Sequence, residues 1–247
     1  MLKLPKIEEL MEAGVHFGHQ ARRWNPKMAS FIFTKNAGTH VINLEKTEKQ
    51  LKEAAEFMKE IGQRGGTVIF LATKKQAAEI IAQEATRVGA MYLTQRWFAG
   101  LFTNFESVHK TIEKLGKLEE TLNGTEAASY TKKEKLLMQR EINKLNHFVG
   151  GIRELNKLPD CLFIIDAKRE DNAVREAKTT GVPVIALVDT NADPTKVDYP
   201  IAANDDAIKS ISILVKTIAD AYSEGRKVWE KKSQEKKEVK EEEKVEA

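Results

Sequence analysis

The sequence predicts an α/β protein: a parallel sheet with helices on both faces, interrupted midway by an inserted antiparallel helical hairpin. Three observations carry that prediction. Short, continuously apolar runs recur at residues 68–72 (VIFLA), 162–165 (LFII) and 184–188 (VIALV), as strands covered on both faces require. Segments of helical periodicity separate them. Between residues 105 and 152 this alternation stops and a narrow apolar seam replaces it. Repeated strand–helix units favour a parallel sheet, because right-handed crossovers lay the helices on its faces.

Taken in order, residues 31–33 and 39–42 read as two short strands around the turn Lys35-Asn36-Ala37-Gly38. Asn43 is placed to cap a helix whose apolar positions Leu51, Ala54, Ala55, Met58 and Ile61 share one face, with Gly62 as its end. The strand at 68–72 leads to a helix over 75–88, closed by Gly89, and then to a strand at 91–93. Phe105, Val108, Ile112, Leu115 and Leu122 form a seam at alternating steps of three and four with one register gap, and a polar turn follows around Asn123-Gly124. Thr131-Lys132-Lys133-Glu134 fits a capping box for a returning helix that carries Leu137, Glu141, Leu145, Phe148 and Ile152. Two helices zipped by one narrow seam make a coiled-coil hairpin that can stand away from a domain. Alternation then resumes: a strand at 162–166, a helix at 171–179 with Gly181 beyond it, a strand at 184–188, a short piece at 199–201 and a helix from 205 to 222. From residue 231 the chain is almost all Lys and Glu with nothing apolar to bury, which predicts a disordered or fraying helical tail. The expected organisation is an amino-terminal segment (1–30), a sheet domain (31–104 and 153–226), the hairpin insertion (105–152) and a charged tail (227–247).

Composition narrows the functional classes. Apolar residues make up 41% and charged residues 31% of 247 residues, enough for a large core under a well-solvated surface. No run approaches the ~18 apolar residues of a membrane span, and the first twelve residues lack the apolar stretch of a secretory signal. The single cysteine, Cys161, sits in an apolar run and has no partner for an internal disulfide, which suits a reducing cytoplasm. Net charge is only +3, yet Arg22, Arg23, Lys27, Lys35, Lys74, Lys75, Arg96, Lys110, Lys114 and Lys117 concentrate positive charge in the first half.

Two clusters combine that charge with rings. Residues 16–28 (HFGHQARRWNPKM) hold two histidines, adjacent arginines, a lysine and a tryptophan, with Gly18 and Pro26 preventing one regular helix. Cations neutralise phosphates, and an exposed indole or imidazole stacks on a splayed base. The alternative is that Trp24 and Phe17 anchor the segment to the core while the arginines face water. Residues 94–105 (TQRWFAGLFTNF) repeat the chemistry: Trp97, Phe98 and Phe102 suit the root of the hairpin, while Arg96, Thr103 and Asn104 can face phosphate.

A search for catalysis finds little. Thr73-Lys74-Lys75-Gln76 follows the 68–72 strand, so neither a dinucleotide fingerprint nor a Walker loop is present. Asp166, Asp189, Asp193, Asp205 and Asp206 fall near strand ends, where such folds bind ligands, and would suit a divalent cation in a hydrolase. The ordinary account has Asp205 capping the last helix, Asp189 and Asp193 making Asx turns, and Asp166 ending a strand. His16 and His19 lack further ligands at metal-binding spacing. A protein-binding adaptor using the hairpin seam is a third class, but the seam residues are consumed by pairing.

The chain resembles the bacterial-type family of the second protein of the small ribosomal subunit. The resemblance rests on GVHFGHQ at 14–20, RWNPKM at 23–28, INLEKT at 42–47, RWFAGLFTNF at 96–105, TKKE at 131–134, GGI at 150–152, LPD at 158–160, VDTNADP at 188–194 and NDDAI at 204–208. Phe98 and Ala99 depart mildly from the family pattern, and the Lys/Glu tail is family-variable. The resemblance implies a flavodoxin-like sheet with a protruding coiled-coil hairpin. It implies a structural constituent of the small subunit that binds its ribosomal RNA, supports translation in the cytoplasm, and catalyses nothing. Neighbouring small-subunit proteins, including small-subunit ribosomal protein one, are the implied partners; no cofactor, metal, membrane or small-molecule substrate is expected. The RNA-facing residues would be His19, Arg22, Arg23, Trp24, Asn25, Lys27, Lys74, Lys75, Arg96, Thr103, Asn104, Lys110, Lys114, Lys117, Lys132 and Lys133, gripping backbone phosphate rather than reading sequence.

Overall fold

A computed structural model describes residues 4–124 and 129–245, with side chains described to residue 235. The elements run α1 (Ile7–Glu12), β1 (Phe17–Gln20), β2 (Ile32–Asn36), β3 (Thr39–Ile42), α2 (Leu44–Gln63), β4 (Val68–Leu71), α3 (Lys75–Arg87), β5 (Met91–Leu93), α4 (Phe105–Asn123), α5 (Lys132–Val149), β6 (Cys161–Ile165), α6 (Asp171–Thr180), β7 (Val184–Val188), β8 (Tyr199–Ala202) and α7 (Ile208–Val245). Five strands form a parallel sheet in the order β5-β4-β6-β7-β8. Renumbered within the sheet this is 2-1-3-4-5, so the arrangement fits a flavodoxin-like fold. The chain reverses direction across the sheet at β4, between β5 and β6, and the carboxyl ends there form the crevice in which such folds place polar chemistry.

Strand alternation divides the interior into two cores. Phe70, Phe163, Ile165, Ile185 and Leu187 point to one face, where they meet Leu51 and Met58 of α2, Ile81 of α3 and Leu214, Ile218 and Tyr222 of α7. Ile69, Leu71, Leu162, Ile164, Val184 and Ala186 point to the other. There they meet Val174 and Ala177 of α6 together with Trp97, Leu101 and Phe102. Ile112 and Leu115 of α4 and Ile142 and Val149 of α5 continue this second core. The two helices lie in the connection between β5 and β6, where a single crossover helix would suffice. Cross-helix polar contacts accompany the seam, with Lys114 paired to Glu141 and Asn146 Nδ2 donating to Glu119 Oε1 at 3.2 Å.

Local capping matches the sequence where partners are close in the chain. Asn43 Oδ1 accepts from the Glu45 and Lys46 amides, and Thr131 and Glu134 form the reciprocal capping box. Gly181 ends α6 in the left-handed region at φ 74°. Three expectations change. First, β1 and α1 are additional elements, and β1 joins β3 and β2 in a small antiparallel sheet ordered β1-β3-β2. Second, α7 starts at Ile208, so Asp205 is not its cap; Asn204 Oδ1 takes the Asp206 and Ala207 amides instead. Third, α7 runs on through the Lys/Glu stretch to Val245 rather than ending at 222. The polar turn expected around Asn123-Gly124 continues into 125–128, and the expected tail into 246–247; both lie outside the described residues.

Candidate nucleic-acid interface

The carboxyl ends of the strands carry a dense ionic cluster. Lys74, just after β4, extends into it and is only 11% exposed. Its Nζ lies 2.6 Å from Asp205 Oδ1, 2.7 Å from Asp206 Oδ1 and 3.1 Å from Asp166 Oδ2. Burial pulls the ammonium's pKa down, but the three carboxylates outweigh it and hold the pKa above the ordinary lysine value. Lys74, expected to meet RNA phosphate, is here placed against the carboxylates of its own strand ends. Burial first, then the charges of Asp166 and Asp189, push the Asp205 carboxyl up to about 7 against the pull of Lys74. Asp205 Oδ2 is buried without a hydrogen-bond partner. Asp166 sits at φ 67°, a conformation costly for a residue with a Cβ, and its Oδ1 accepts from the Arg169 amide at 2.9 Å.

His19 closes the cluster from the amino-terminal side. Its Nδ1 lies 3.0 Å from Asp189 Oδ2 and its Nε2 3.4 Å from Asp206 Oδ2. The Asp189 contact is the main reason its pKa is raised. His19, Asp205 and Asp206 offer ligand-type atoms within 4.8 Å of one another, the geometry a metal would need, but the Lys74 ammonium supplies positive charge among the same carboxylates. The imidazole thus faces inward, away from the stacking role expected of it.

The rest of residues 16–28 forms an outward-facing basic segment fixed from beneath. Thr190, at the end of β7, accepts the His19 amide on Oγ1 at 2.9 Å, and its carbonyl accepts the Asn25 amide at 2.8 Å. This approach requires Gly18, because a Cβ there would lie 2.5 Å from Thr190 Cγ2. Val15 and Met28 are fully buried and supply the apolar anchors. Phe17 and Trp24 do not: they are 53% and 39% exposed. Trp24 lies 5.2 Å from the His40 ring, with part of its surface open to solvent. Arg22 and Arg23 are exposed in a 3-10 turn, Arg22 holding Gln20 Oε1 at 3.0 Å. Asn25 caps the next turn through the Lys27 amide. Lys27 Nζ pairs with Asp193 Oδ2 at 2.6 Å; against desolvation, this contact and the Thr195 hydroxyl and amide together hold Asp193 down at about 2.

The 94–104 segment is organised by one carboxylate that the sequence did not single out. Glu176, on α6, accepts from Trp97 Nε1 at 3.0 Å, Gly100 N at 2.8 Å, Phe102 N at 3.1 Å and, at longer range, Thr103 Oγ1 at 3.4 Å. Partial burial raises its pKa, but these donors prevail and lower it overall. Trp97 and Phe102 meet edge to face at 4.9 Å, and Phe98 meets Phe148, near the end of α5, at 6.0 Å. Thr103 is engaged by Glu176, while the side chains of Arg96 and Asn104 face solvent. Lys75, Lys110, Lys117, Lys132 and Lys133 are likewise exposed, whereas Lys114 is paired with Glu141. Sequence offered no signal for Glu176 or Thr190, because their partners lie 73 or more and 165 or more residues away.

No described helix is long and apolar enough to cross a membrane. The model of a family described as ribosomal protein S2 matches residues 10–225. Proteins named small ribosomal subunit protein uS2 are similar over most of their length. The one from Acidothermus cellulolyticus is 51% identical over 220 residues, covering 89% of this chain and 80% of that protein. The one from Thermobifida fusca is 48% identical over 226 residues, covering 91% and 77%. The one from Picosynechococcus is 48% identical over 220 residues, covering 89% and 86%. A match extending from α1 into α7, with relatives at this identity, means that the chain belongs to the ribosomal protein S2 family.

Proposed function

We propose that this protein is a structural, non-catalytic component of the small ribosomal subunit that supports translation by binding small-subunit ribosomal RNA through backbone phosphates. The observation that carries this is the rigidly seated segment presenting Arg22, Arg23 and Trp24 outward. Cations on an immobile support neutralise phosphate with little ordering cost, and a half-exposed indole offers a stacking face. Arg96, Asn104, Lys75 and Lys27 add to the surface, and α4–α5 serve as a coiled-coil arm reaching further RNA. Lys74 and His19 act instead from within, holding the RNA-facing segments in place, and Thr103 stays on the surface beside Glu176. The protein works in the cytoplasm, beside other small-subunit proteins including small-subunit ribosomal protein one.

Co-sedimentation of the tagged chain with small subunits is expected, and its absence overturns the reading. Replacing Arg22 and Arg23 together by Ala removes two phosphate contacts. That should flatten the log–log salt dependence of binding by about 1.5 units, at ~0.7–0.9 per contact. An unchanged slope excludes these arginines from the interface.

A further inference from the structure

We infer that the outer face of α5, rather than that of α4, is the polyanion-binding surface of the inserted helix pair; this rests on the RNA-binding reading above. Both helices expose a stripe at offsets 0, 4, 7, 11 and 14, which fall on one helical face. On α4 the stripe is Glu106, Lys110, Glu113, Lys117 and Glu120, all exposed. On α5 it is Lys133, Leu137, Arg140, Lys144 and His147, also all exposed.

The charge patterns have opposite consequences. Successive charges of the α4 stripe lie roughly 4.5–6 Å apart along the helix, from 1.5 Å per residue, inside the ~8 Å screening length at physiological salt. On α5, Arg140 and Lys144 are about 6 Å apart, and Lys133 is about 10 Å from Arg140, close to that length. The glutamates of α4 therefore cancel Lys110 and Lys117 for any ligand at contact distance and leave a slight excess of repulsion toward phosphate. On α5 three permanent cations add over about 16 Å of helix, with no carboxylate between them. The acids of α5 lie off this face: Glu134 is turned back into the cap, and Glu141 is held by Lys114. No carboxylate among the described residues pairs with Lys133, Arg140 or Lys144, whereas Arg153 and Lys114 nearby are both paired. Charge complementarity thus selects a phosphate backbone as the occupant. Leu137 within the stripe and Leu136 beside it are 54% and 52% exposed. Two leucines are far short of the ~800 Å² per partner that a stable protein interface buries, so they do not by themselves define a protein-docking site.

The test measures binding of the full chain to small ribosomal subunits lacking this protein, across a salt series. Lys133→Gln, Arg140→Gln and Lys144→Gln together keep helix-forming side chains and remove the charge. This variant should flatten the log–log slope by ~2–3 units, three contacts at ~0.7–0.9 each. Lys110→Gln with Lys117→Gln should leave it unchanged. The single Arg140→Gln, with a change of ~0.8, serves should the triple variant lose helicity by circular dichroism. A flattened slope in the α4 variant with an unchanged one in the α5 variant overturns the assignment, as does loss of binding in Leu136→Ala with Leu137→Ala at unchanged slope, which marks a protein contact. Wild-type protein that shows no salt-dependent binding fails the underlying RNA reading, and that result is distinct from the others.

Discussion

Glu176 stands where three backbone or side-chain donors of one loop converge within 3.1 Å, so a single anion fixes the path from Arg96 to Asn104. Glu176→Gln preserves the shape but puts an amide donor against donors. Leaving buried N–H groups unmatched costs about 1–3 kcal/mol, and the loop should loosen before the sheet does. The expected outcome is a lowered thermal midpoint together with faster tryptic cleavage after Arg96, read by mass spectrometry; cleavage no faster than wild type removes Glu176 from this role. The same residue shows what sequence reveals at this scale. Residue type was legible: Arg22, Arg23 and Arg96 are exposed cations as their neighbours suggested. Partnership was not. Lys74 and Lys75 are adjacent and chemically identical in sequence, yet one enters the ionic cluster with Asp205, 131 residues away, and the other faces water. Only the crossing of strands brings those charges together.

Elements were legible where their determinants are local. Asn43, the Thr131/Glu134 box and Gly181 act within three residues of the termini they define, and those helix ends match the sequence. β1 was missed because four residues containing a glycine carry no alternation; it exists because β3 offers an edge and Thr190 a seat. Gly62 was read as a helix end, but α2 continues to Gln63 and the glycine serves packing. There α2 and α7 touch: a Cβ on Gly62 would lie 2.6 Å from the Tyr222 carbonyl, and one on Gly225 2.2 Å from the Lys59 carbonyl. Gly116, within α4, would meet nothing within 4 Å. Helix propensity favours alanine over glycine by ~1 kcal/mol at either place. At Gly225 the backbone clash, about 1–3 kcal/mol of overpacking or more, exceeds that gain. Gly225→Ala should therefore lower the denaturation midpoint while Gly116→Ala raises it. Equal effects from the two substitutions would mean that the crossing yields more easily than its geometry implies.

At the scale of the whole molecule, the ionic cluster couples the amino-terminal segment to the sheet, and that coupling depends on pH. His19 has a folded pKa above its unfolded 6.5, chiefly through Asp189. Its stabilisation is complete below 6.5 and disappears as pH rises through the folded value. Asp205 acts in the same direction by a different route. The unfolded chain releases this proton near 3.8 and the folded chain near 7, so its ionisation progressively opposes folding between those values. His16, whose pKa burial lowers, acts in the opposite sense, losing stability as pH falls through 6.5. A comparison with His19→Gln isolates the clamp from such background. Wild type should lose more stability than the variant between pH 6 and 8, measured as urea midpoints at constant ionic strength. Amide exchange in residues 16–28 should quicken over the same interval in wild type, because those residues lose their charged tether to Asp189. Parallel pH profiles for the two proteins would mean that the His19–Asp189 contact does not hold a proton on the imidazole in the folded state. The segment bearing Arg22 and Arg23 would then be held by Thr190 and the buried Val15 and Met28 alone, and RNA affinity should keep the same pH dependence in both proteins.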